Sequence, residues 1–382
     1  MSGSAINTIQ GNGRFGHYFS EKTISQLPIR IDNPLLSPEI YFLVTTQCNI
    51  ECTYCYNFHR EKHIHMAPEL AVSFLKSYLS IQSNNIPNLY QIVFSGGEPT
   101  INPNTIFAVM DYLNENGIEC VPTLLTNGIF SQRILQKFID EKFLFQISYD
   151  GGGNTHRKSI GKSDIYMNTL KTVEKIANSG LPIVLRATIT QKNTNNMVDV
   201  VAFAKQYGIR SIIFDTCDNL GNALKNHIIR ADKDEYIHYY FEALEFARQN
   251  EIDVIMPEIM RFKIKGAYQQ LPKIVLLPDG TLTTTTKYLS RSTKGADKSI
   301  IGNYSIENGL NLDFQKINVM VNNYLTNLER HCVDCESYVF CRGRNQNAQL
   351  FREEIAEQKD DYRCEITRGI YKRLESNPPT WL

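Results

Sequence analysis

The chain has 382 residues, of which 42% are hydrophobic and 21% charged, and its 40 basic residues balance its 40 acidic ones. A net charge of zero excludes a strong overall field toward nucleic acid or anionic membranes, and the composition is that of a folded globular protein. The length predicts one or two domains. No apolar run approaches the roughly 18 residues of a membrane span, and residues 1–18 lack an apolar signal segment, so we expect a cytoplasmic protein.

Short apolar runs alternate with longer segments of helical periodicity between residues 39 and 219, which is typical of βα units around a parallel sheet. Each run is apolar almost throughout, as strands covered on both faces require. Six strands are predicted, at 40–45, 91–95, 121–126, 145–149, 183–189 and 211–216. Two of the helices predicted between them are 68–79, which begins at a proline, and 197–207, which a glycine follows.

The alternation fades after Gly221, where a domain boundary is expected. A long amphipathic helix is predicted at 232–250. A β-hairpin is predicted at 274–277 and 281–288, around a turn that contains an Asp-Gly pair. The tail is predicted to end in a helix at 364–375.

Three of the nine cysteines, Cys48, Cys52 and Cys55, directly follow the first predicted strand. Disulfides are rare in the cytosol, and catalytic groups of α/β barrels lie on loops of this kind. Three thiolates can hold three corners of a [4Fe-4S] cube and leave the fourth iron open. Zinc is the alternative, with a fourth ligand from one of three nearby histidines, His59, His63 or His65.

A second cysteine group occupies the tail. Cys332, Cys335 and Cys341 have the spacing C-x2-C-x5-C, and Cys364 follows 23 residues after the last of them. Four thiolates can close a tetrahedral zinc site or hold an iron–sulfur cube. The spacing alone does not choose between the two metals.

The first group, with Tyr54 between its last two cysteines, resembles the C-x3-C-x-aromatic-C signature of the radical S-adenosylmethionine (SAM) enzymes. The end of the second predicted strand resembles the GGEP motif of that family, at Gly96, Gly97, Glu98 and Pro99. The resemblance implies a partial (β/α)6 TIM-like barrel and a catalytic [4Fe-4S] cluster whose open iron binds the amino and carboxylate groups of SAM. The expected product of SAM cleavage is a 5′-deoxyadenosyl radical that abstracts a hydrogen from the substrate.

The same resemblance implies roles for side chains near the ends of several strands. The two glycines are expected to let backbone carbonyls approach SAM, and Glu98 to offer an anion to its ammonium group. Ser148 and Asp150 are expected at the ribose of SAM and Arg186 at its carboxylate, and Asn127 ends the third strand. Considered by residue type alone, Asn127 and Asp150 could equally serve turn geometry, and Arg186 could pair with a core carboxylate.

The tail resembles the SPASM extension, whose members carry auxiliary [4Fe-4S] clusters and mostly modify peptides or proteins. The full SPASM pattern has cysteines where this chain has Thr285 and Asn345, and no cysteine lies between 217 and 332, so three ligands of the nearer auxiliary cluster are absent. We therefore expect one auxiliary [4Fe-4S] cluster, held by Cys332, Cys335, Cys341 and Cys364.

The fold class expected from these observations is α/β, a partial barrel with a small C-terminal SPASM-like iron–sulfur domain. The expected divisions are an N-terminal segment at 1–37, the barrel at 38–220, a bridging helix and hairpin region at 221–325, and the SPASM-like domain at 326–382. Three side chains at the end of the sixth strand are candidates for substrate binding or catalysis, Asp215, Cys217 and Asp218. A small buried side chain is the alternative for the cysteine among them.

The resemblance implies an oxidoreductase that crosslinks a ribosomally made precursor peptide, with a carbon–carbon cyclophane favoured and a thioether possible. The alternatives are an anaerobic sulfatase-maturing type of enzyme, a peptide epimerase, or a zinc-stabilised binding module. Expected partners are the precursor peptide and an electron donor such as flavodoxin or ferredoxin. Residues 1–36 are too few for a complete leader-recognition domain, so a leader peptide is expected to bind either to a separate protein or to the rim of the barrel.

Overall fold

Six parallel strands form the centre of the main sheet. The computed structural model describes residues 39–56, 63–81, 89–152, 156–159, 164–255, 274–293, 295–332, 334–341 and 362–376. The six strands predicted from the sequence are all present and pair side by side in chain order, which confirms an α/β fold with a parallel sheet. They are β1 (Glu39–Thr45), β3 (Tyr90–Gly96), β4 (Cys120–Thr126), β5 (Leu144–Ser148), β7 (Ile183–Ile189) and β8 (Ser211–Thr216).

Two further strands, β2 (Ile50–Cys52) and β6 (Arg157–Ser159), form a separate antiparallel ribbon. Each has only three residues, too few to show a strand periodicity in the sequence. The ribbon joins the loop after β1 to the segment after β5. It therefore connects two parts of the chain that a sequence pattern does not relate.

The main sheet extends beyond the six central strands on both sides. On one side β9 (Asp253–Ile255) pairs in parallel with β8, and on the other β10 (Ile274–Leu276) pairs in parallel with β1. Antiparallel pairing then adds β11 (Thr281–Thr283), β12 (Ile300–Ser305) and β13 (Gly309–Leu312). The predicted hairpin is confirmed as β10 and β11, although its second strand ends earlier than expected.

The helices predicted from the sequence are confirmed to within two residues at either end. The helices in the described part of the chain are α1 (Pro68–Ile81), α2 (Pro103–Glu115), α3 (Gln132–Asp140), α4 (Ile165–Asn178), α5 (Met197–Gln206), α6 (Gly221–Lys225), α7 (Lys233–Gln249), α8 (Phe314–Cys332), α9 (Tyr338–Cys341) and α10 (Tyr362–Ser376). Local side chains define several of their starts. The Asp232 side chain, for example, accepts hydrogen bonds from the backbone N–H groups of Asp234 and Glu235, at 2.9 and 3.1 Å, and so caps α7.

The core lies between the parallel strands and the helices that cover them. Phe42 of β1, Phe94 of β3 and Phe74 of α1 are completely buried. The ring of Phe42 stacks on that of Phe94 with centroids 5.7 Å apart and meets that of Phe74 edge-on at 6.0 Å. This packing fixes the ends of β1 and β3, from which the first cysteine loop and the Gly-Gly turn emerge.

The Gly-Gly turn after β3 lies directly against the backbone that leads into the first cysteine loop. The Gly97 N–H donates to the carbonyl of Thr45 at 2.9 Å, and the Glu98 N–H donates to the carbonyl of Gln47 at 2.7 Å. A Cβ atom on Gly97 would lie 2.1 Å from the carbonyl oxygen of Gln47. Only glycine fits here, because a side chain would push the loop away from the turn.

We predict that Gly97→Ala lowers the free energy of unfolding by about 1–3 kcal/mol, because the added methyl group overpacks a backbone contact. Urea denaturation of the metal-free protein measures the change. Gly152→Ala is the matched control, since a Cβ at Gly152 meets nothing within 4 Å. Equal effects of the two substitutions would contradict the close approach at Gly97.

Candidate functional site

The first cysteine loop lies at the carboxyl-terminal end of β1, where active sites of parallel α/β proteins are found. Its three cysteines are half-buried and form no disulfide, and the pairing of β2 with β6 anchors the loop. Asn222, at the start of α6, holds it from another side. The Asn222 N–H donates to the carbonyl of Cys55 at 2.7 Å, and its side-chain amide donates to the carbonyl of Cys52 at 3.1 Å.

The three thiols of this loop influence one another electrostatically. Burial raises the pKa of Cys52, the nearby Arg157 lowers it, and Cys55 and Cys48 raise it further. A buried thiol among other thiols loses its proton when its sulfur binds a positively charged metal. Three such thiols on one short loop therefore fit a [4Fe-4S] cube with one iron left open.

Asn127, which ends the third predicted strand, contacts the cysteine loop directly. Its side-chain N–H lies 3.8 Å from the Cys48 sulfur and donates to the side-chain oxygen of Asn49 at 2.7 Å. Its side-chain oxygen accepts from the Ile129 N–H at 2.9 Å. The amide thus serves turn geometry and also orients the first cysteine of the loop.

Glu98 has a different environment from the one the resemblance implies. Its carboxylate is completely buried and accepts four hydrogen bonds. These come from the N–H and hydroxyl of Thr100, the hydroxyl of Thr126 and the N–H of Asn127, at 2.8 to 3.2 Å. Burial raises the pKa of this carboxyl, and the four hydrogen bonds oppose the rise. The carboxylate therefore fastens the end of β3 to the end of β4 instead of facing a ligand.

The other residues of the motif differ from one another in exposure. Gly96 and Gly97 are half-exposed, whereas Pro99 is buried and begins a 3₁₀ turn, Pro99–Ile101. The backbone of the two glycines is thus the part of the motif that is open to a ligand.

Asp150 is enclosed by partners within the chain. One carboxylate oxygen accepts from the Tyr54 hydroxyl at 2.5 Å and from Nε of Arg157 at 3.0 Å, and the other accepts from the Thr188 N–H at 2.9 Å. Tyr54 is the aromatic residue of the cysteine motif, so this contact ties the motif to the end of β5. In this structure the Asp150 carboxylate therefore binds donors within the chain, and neither of its oxygens is left open to a ribose.

Ser148 and Arg186 are brought together by the main sheet. They are directly paired residues of the neighbouring parallel strands β5 and β7. The Ser148 side chain is half-buried, and the guanidinium of Arg186 is 41% exposed although it pairs with Asp215. These two expected SAM-binding side chains are therefore adjacent and reachable.

A charged network occupies the end of β7 and β8 and includes two of the candidate catalytic residues. Asp215 pairs with Arg186 and, at 3.3 Å, with Arg363. Asp218 pairs with Arg363 at 2.9 Å and with Lys287 at 2.8 Å. Burial raises the pKa of Asp215, but the two arginines outweigh it and the net pKa is lowered. Both carboxylates are therefore held as ions by fixed cations.

Cys217, the third candidate at this edge, is a buried thiol that donates to the Asp218 carbonyl at 3.5 Å. Burial raises its pKa to about 12, so it stays protonated near neutral pH. The environment is that of a small buried side chain.

The second cysteine group surrounds the junction of α8, α9 and α10. Cys332 and Cys341 are buried, and the Cys335 sulfur lies 3.3 Å from the Ser337 hydroxyl. Cys364 lies on α10, which a 3.0 Å ion pair between Lys372 and Glu336 joins to the segment between Cys335 and Cys341. In the residues that the structure describes, no three His, Cys, Asp or Glu side chains converge closely enough to share one metal ion.

The two positions where the SPASM pattern is broken differ in what the structure shows. Thr285 is buried, and its hydroxyl accepts from the Lys287 N–H at 3.2 Å. Asn345 lies outside the described residues.

Several residues of the site were not identified from the sequence. Among them are His156, whose carbonyl accepts from the Thr53 N–H at 2.8 Å, Arg157, Asn222, Lys287 and Arg363. Each reaches the site from a segment without a motif, so periodicity and spacing gave no signal. Only Arg363 has a sequence cue, because it directly precedes Cys364.

No helix in the described part of the chain is long and apolar enough to cross a membrane.

We predict that Glu98→Gln lowers the free energy of unfolding of the metal-free protein by about 1–3 kcal/mol, because its amide N–H₂ would face groups that donate. Urea denaturation measures this, and the exposed Glu115→Gln is the control. If Glu98 acted only on a ligand, SAM binding would weaken while stability stayed unchanged.

Comparison with known proteins places this site in a family. Residues 42–216 match the radical SAM superfamily model. The chain is 28% identical over 192 residues to the radical SAM cyclopropyl synthase TigE of Paramaledivibacter caminithermalis, a match that covers 45% of this chain and 40% of that protein. The chain spans only 40% to 60% of the length of the first curated relatives that it matches.

Solved structures share the fold at low sequence identity. Native anSMEcpe with bound AdoMet aligns with a TM-score of 0.69 at 16% identity, over 88% of this chain and 96% of that one. Streptococcus suis SuiB bound to the precursor peptide SuiA aligns with a TM-score of 0.52 at 13% identity, over 72% of this chain and 64% of that one. With its three-cysteine loop and its parallel strands, the segment 42–216 of this chain belongs to the radical SAM superfamily.

Proposed function

We propose that this chain is a radical SAM enzyme that modifies a ribosomally made precursor peptide. The observation that carries the proposal is the three-cysteine loop at the carboxyl-terminal end of β1, held in place by the Gly-Gly turn after β3. When bound there, a [4Fe-4S] cluster and SAM supply a 5′-deoxyadenosyl radical that abstracts a hydrogen atom. The protein positions the reacting groups and excludes water.

The residues that would hold the cofactors follow from the geometry of the site. Cys48, Cys52 and Cys55 would bind three irons, leaving the fourth for the amino and carboxylate groups of SAM. Ser148 and Arg186 are adjacent on β5 and β7 and are both accessible, which supports their roles at the ribose and the carboxylate. The half-exposed backbone of the Gly-Gly turn supports a contact with the SAM ammonium group, in place of the buried Glu98.

The second cysteine group supports one auxiliary [4Fe-4S] cluster. Its ligands would come from the ends of α8 and α9, the segment between them, and α10, which the Lys372–Glu336 ion pair joins to that segment. They are Cys332, Cys335, Cys341 and Cys364. A buried threonine at 285 supports the absence of the nearer auxiliary cluster.

The proposal of a peptide substrate is supported by the relatives. One solved relative, SuiB, is bound to its precursor peptide SuiA, and two curated ones of Bacillus subtilis are named for subtilosin biosynthesis and for maturation of sporulation killing factor. We favour a carbon–carbon crosslink of the cyclophane type, with a thioether as the other product. One hydrogen then leaves with 5′-deoxyadenosine, and a second leaves as a proton and an electron that passes to an iron–sulfur acceptor. An external electron donor such as flavodoxin or ferredoxin and a leader-binding protein complete the proposed partners.

We predict that anaerobically reconstituted protein binds about eight irons, and that a Cys48/Cys52/Cys55→Ala variant binds about four. Iron and sulfide analysis with low-temperature EPR measures this, and SAM should perturb the signal only in the wild type. A Cys120→Ala variant, outside both cysteine groups, is the control. About four irons plus one zinc would make the tail structural, and an iron-free wild type would contradict the proposal.

We predict that a short peptide encoded beside the gene loses two hydrogens when it is co-expressed with this chain. Mass spectrometry measures the loss, and a crosslink also suppresses fragmentation between the joined residues. Oxidation of serine to formylglycine removes two hydrogens as well, so labelling of the peptide with a hydrazine separates an aldehyde from a crosslink. An unchanged mass with an inverted residue would instead identify an epimerase, and the three-cysteine variant is the negative control.

A further inference from the structure

The ribbon of β2 and β6 places a buried arginine beside one cysteine of the first loop. In its antiparallel register, Cys52 is directly opposite Arg157. Residues directly opposite each other in an antiparallel pair project their side chains to the same face, with Cβ atoms about 4.5–5.5 Å apart. The side chains of Arg157 and Cys52 therefore start from neighbouring Cβ atoms on one face of the ribbon.

The guanidinium of Arg157 is only partly satisfied. Its side chain is 5% exposed. Nε donates to Asp150 at 3.0 Å and Nη1 donates to the carbonyl of Ser148, whereas the buried Nη2 has no hydrogen-bond partner among the described residues. A buried donor without a partner costs free energy, so an unfilled donor here indicates that an acceptor is missing.

Nε of the guanidinium holds Asp150, so the Nη2 end of the ion pair is left for another acceptor. Since the pair is buried, with side chains 5% and 11% exposed, solvent screens the field of its positive end little.

We propose that Arg157 is a positioning residue of the catalytic cluster, whose free Nη2 group donates to the sulfur ligands at Cys52 and whose charge makes the cluster easier to reduce. The inference rests on the proposed function. Reduction adds an electron to an already anionic set of thiolates and sulfides, and a nearby buried cation stabilises the added charge. Hydrogen bonds to the sulfurs act in the same direction. Asp150 limits the effect, because its negative charge lies beside the same guanidinium.

Substitutions at the two members of the pair test this by shifting the midpoint potential in opposite directions. The measurement is an EPR redox titration of the reconstituted full chain, following the signal that SAM perturbs. Arg157→Gln should lower the ratio of reduced to oxidised cluster at a fixed potential about tenfold, or about 59 mV for a one-electron couple. Asp150→Asn should raise the ratio, and Arg157→Lys, which keeps the charge, should stay closer to the wild type than Arg157→Gln.

Arg210→Gln is the matched control, because it removes an arginine from an ion pair that is exposed to solvent. Unchanged potentials in Arg157→Gln and Asp150→Asn, at normal iron content, would overturn the inference and leave the proposed function intact. A wild type that binds no cluster would overturn the proposed function instead. If Arg157→Gln loses its iron, the midpoint potential of Asp150→Asn becomes the deciding measurement. A higher potential than that of the wild type supports the inference, and an unchanged potential overturns it.

Discussion

The contact on which the site depends is the close approach of the Gly-Gly turn to the backbone just before Cys48. It is a contact between main chains, so it sets the position of the cysteine loop without relying on any flexible side chain. Glu98 extends it, because its buried carboxylate ties the ends of β3 and β4 together, and Asn127 at the end of β4 reaches the Cys48 sulfur. One chain of contacts thus leads from the sheet to Cys48, the first of the proposed metal ligands.

A second support reaches the loop from the opposite side and is electrostatic. Two buried charges are stable only when they pair closely and their remaining hydrogen-bonding groups are satisfied. Asp150 meets that condition with three donors, whereas Nη2 of Arg157 has no hydrogen-bond partner among the described residues. The loop is therefore shaped by backbone contacts at its start and by a buried cation at its middle. The first contact fixes where the cysteines lie, and the second bears on how readily a bound cluster accepts an electron.

The third feature is the charged network that joins α10 to the end of β8. Arg363 bridges Asp215 and Asp218, and the next residue along the chain is Cys364. Two carboxylates and three cations leave this edge with one excess positive charge. A substrate group that arrives there meets fixed ion pairs rather than a free acid or base. The same pairs hold the start of α10, which carries Cys364, close to the edge where the first cysteine loop lies.

By itself, the sequence determined the six parallel strands, the helices between them, the β-hairpin and both cysteine groups, because apolar periodicity and cysteine spacing are local signals. It did not reveal the pairing of β10 with β1, the ribbon of β2 and β6, or the partners of Glu98 and Asp150, since each joins segments far apart in the chain. Whether a carboxylate faces a ligand or fastens two strands depends on which donors surround it. Only the tertiary structure brought those donors, and the guanidinium of Arg157, to the residues that the motifs had marked.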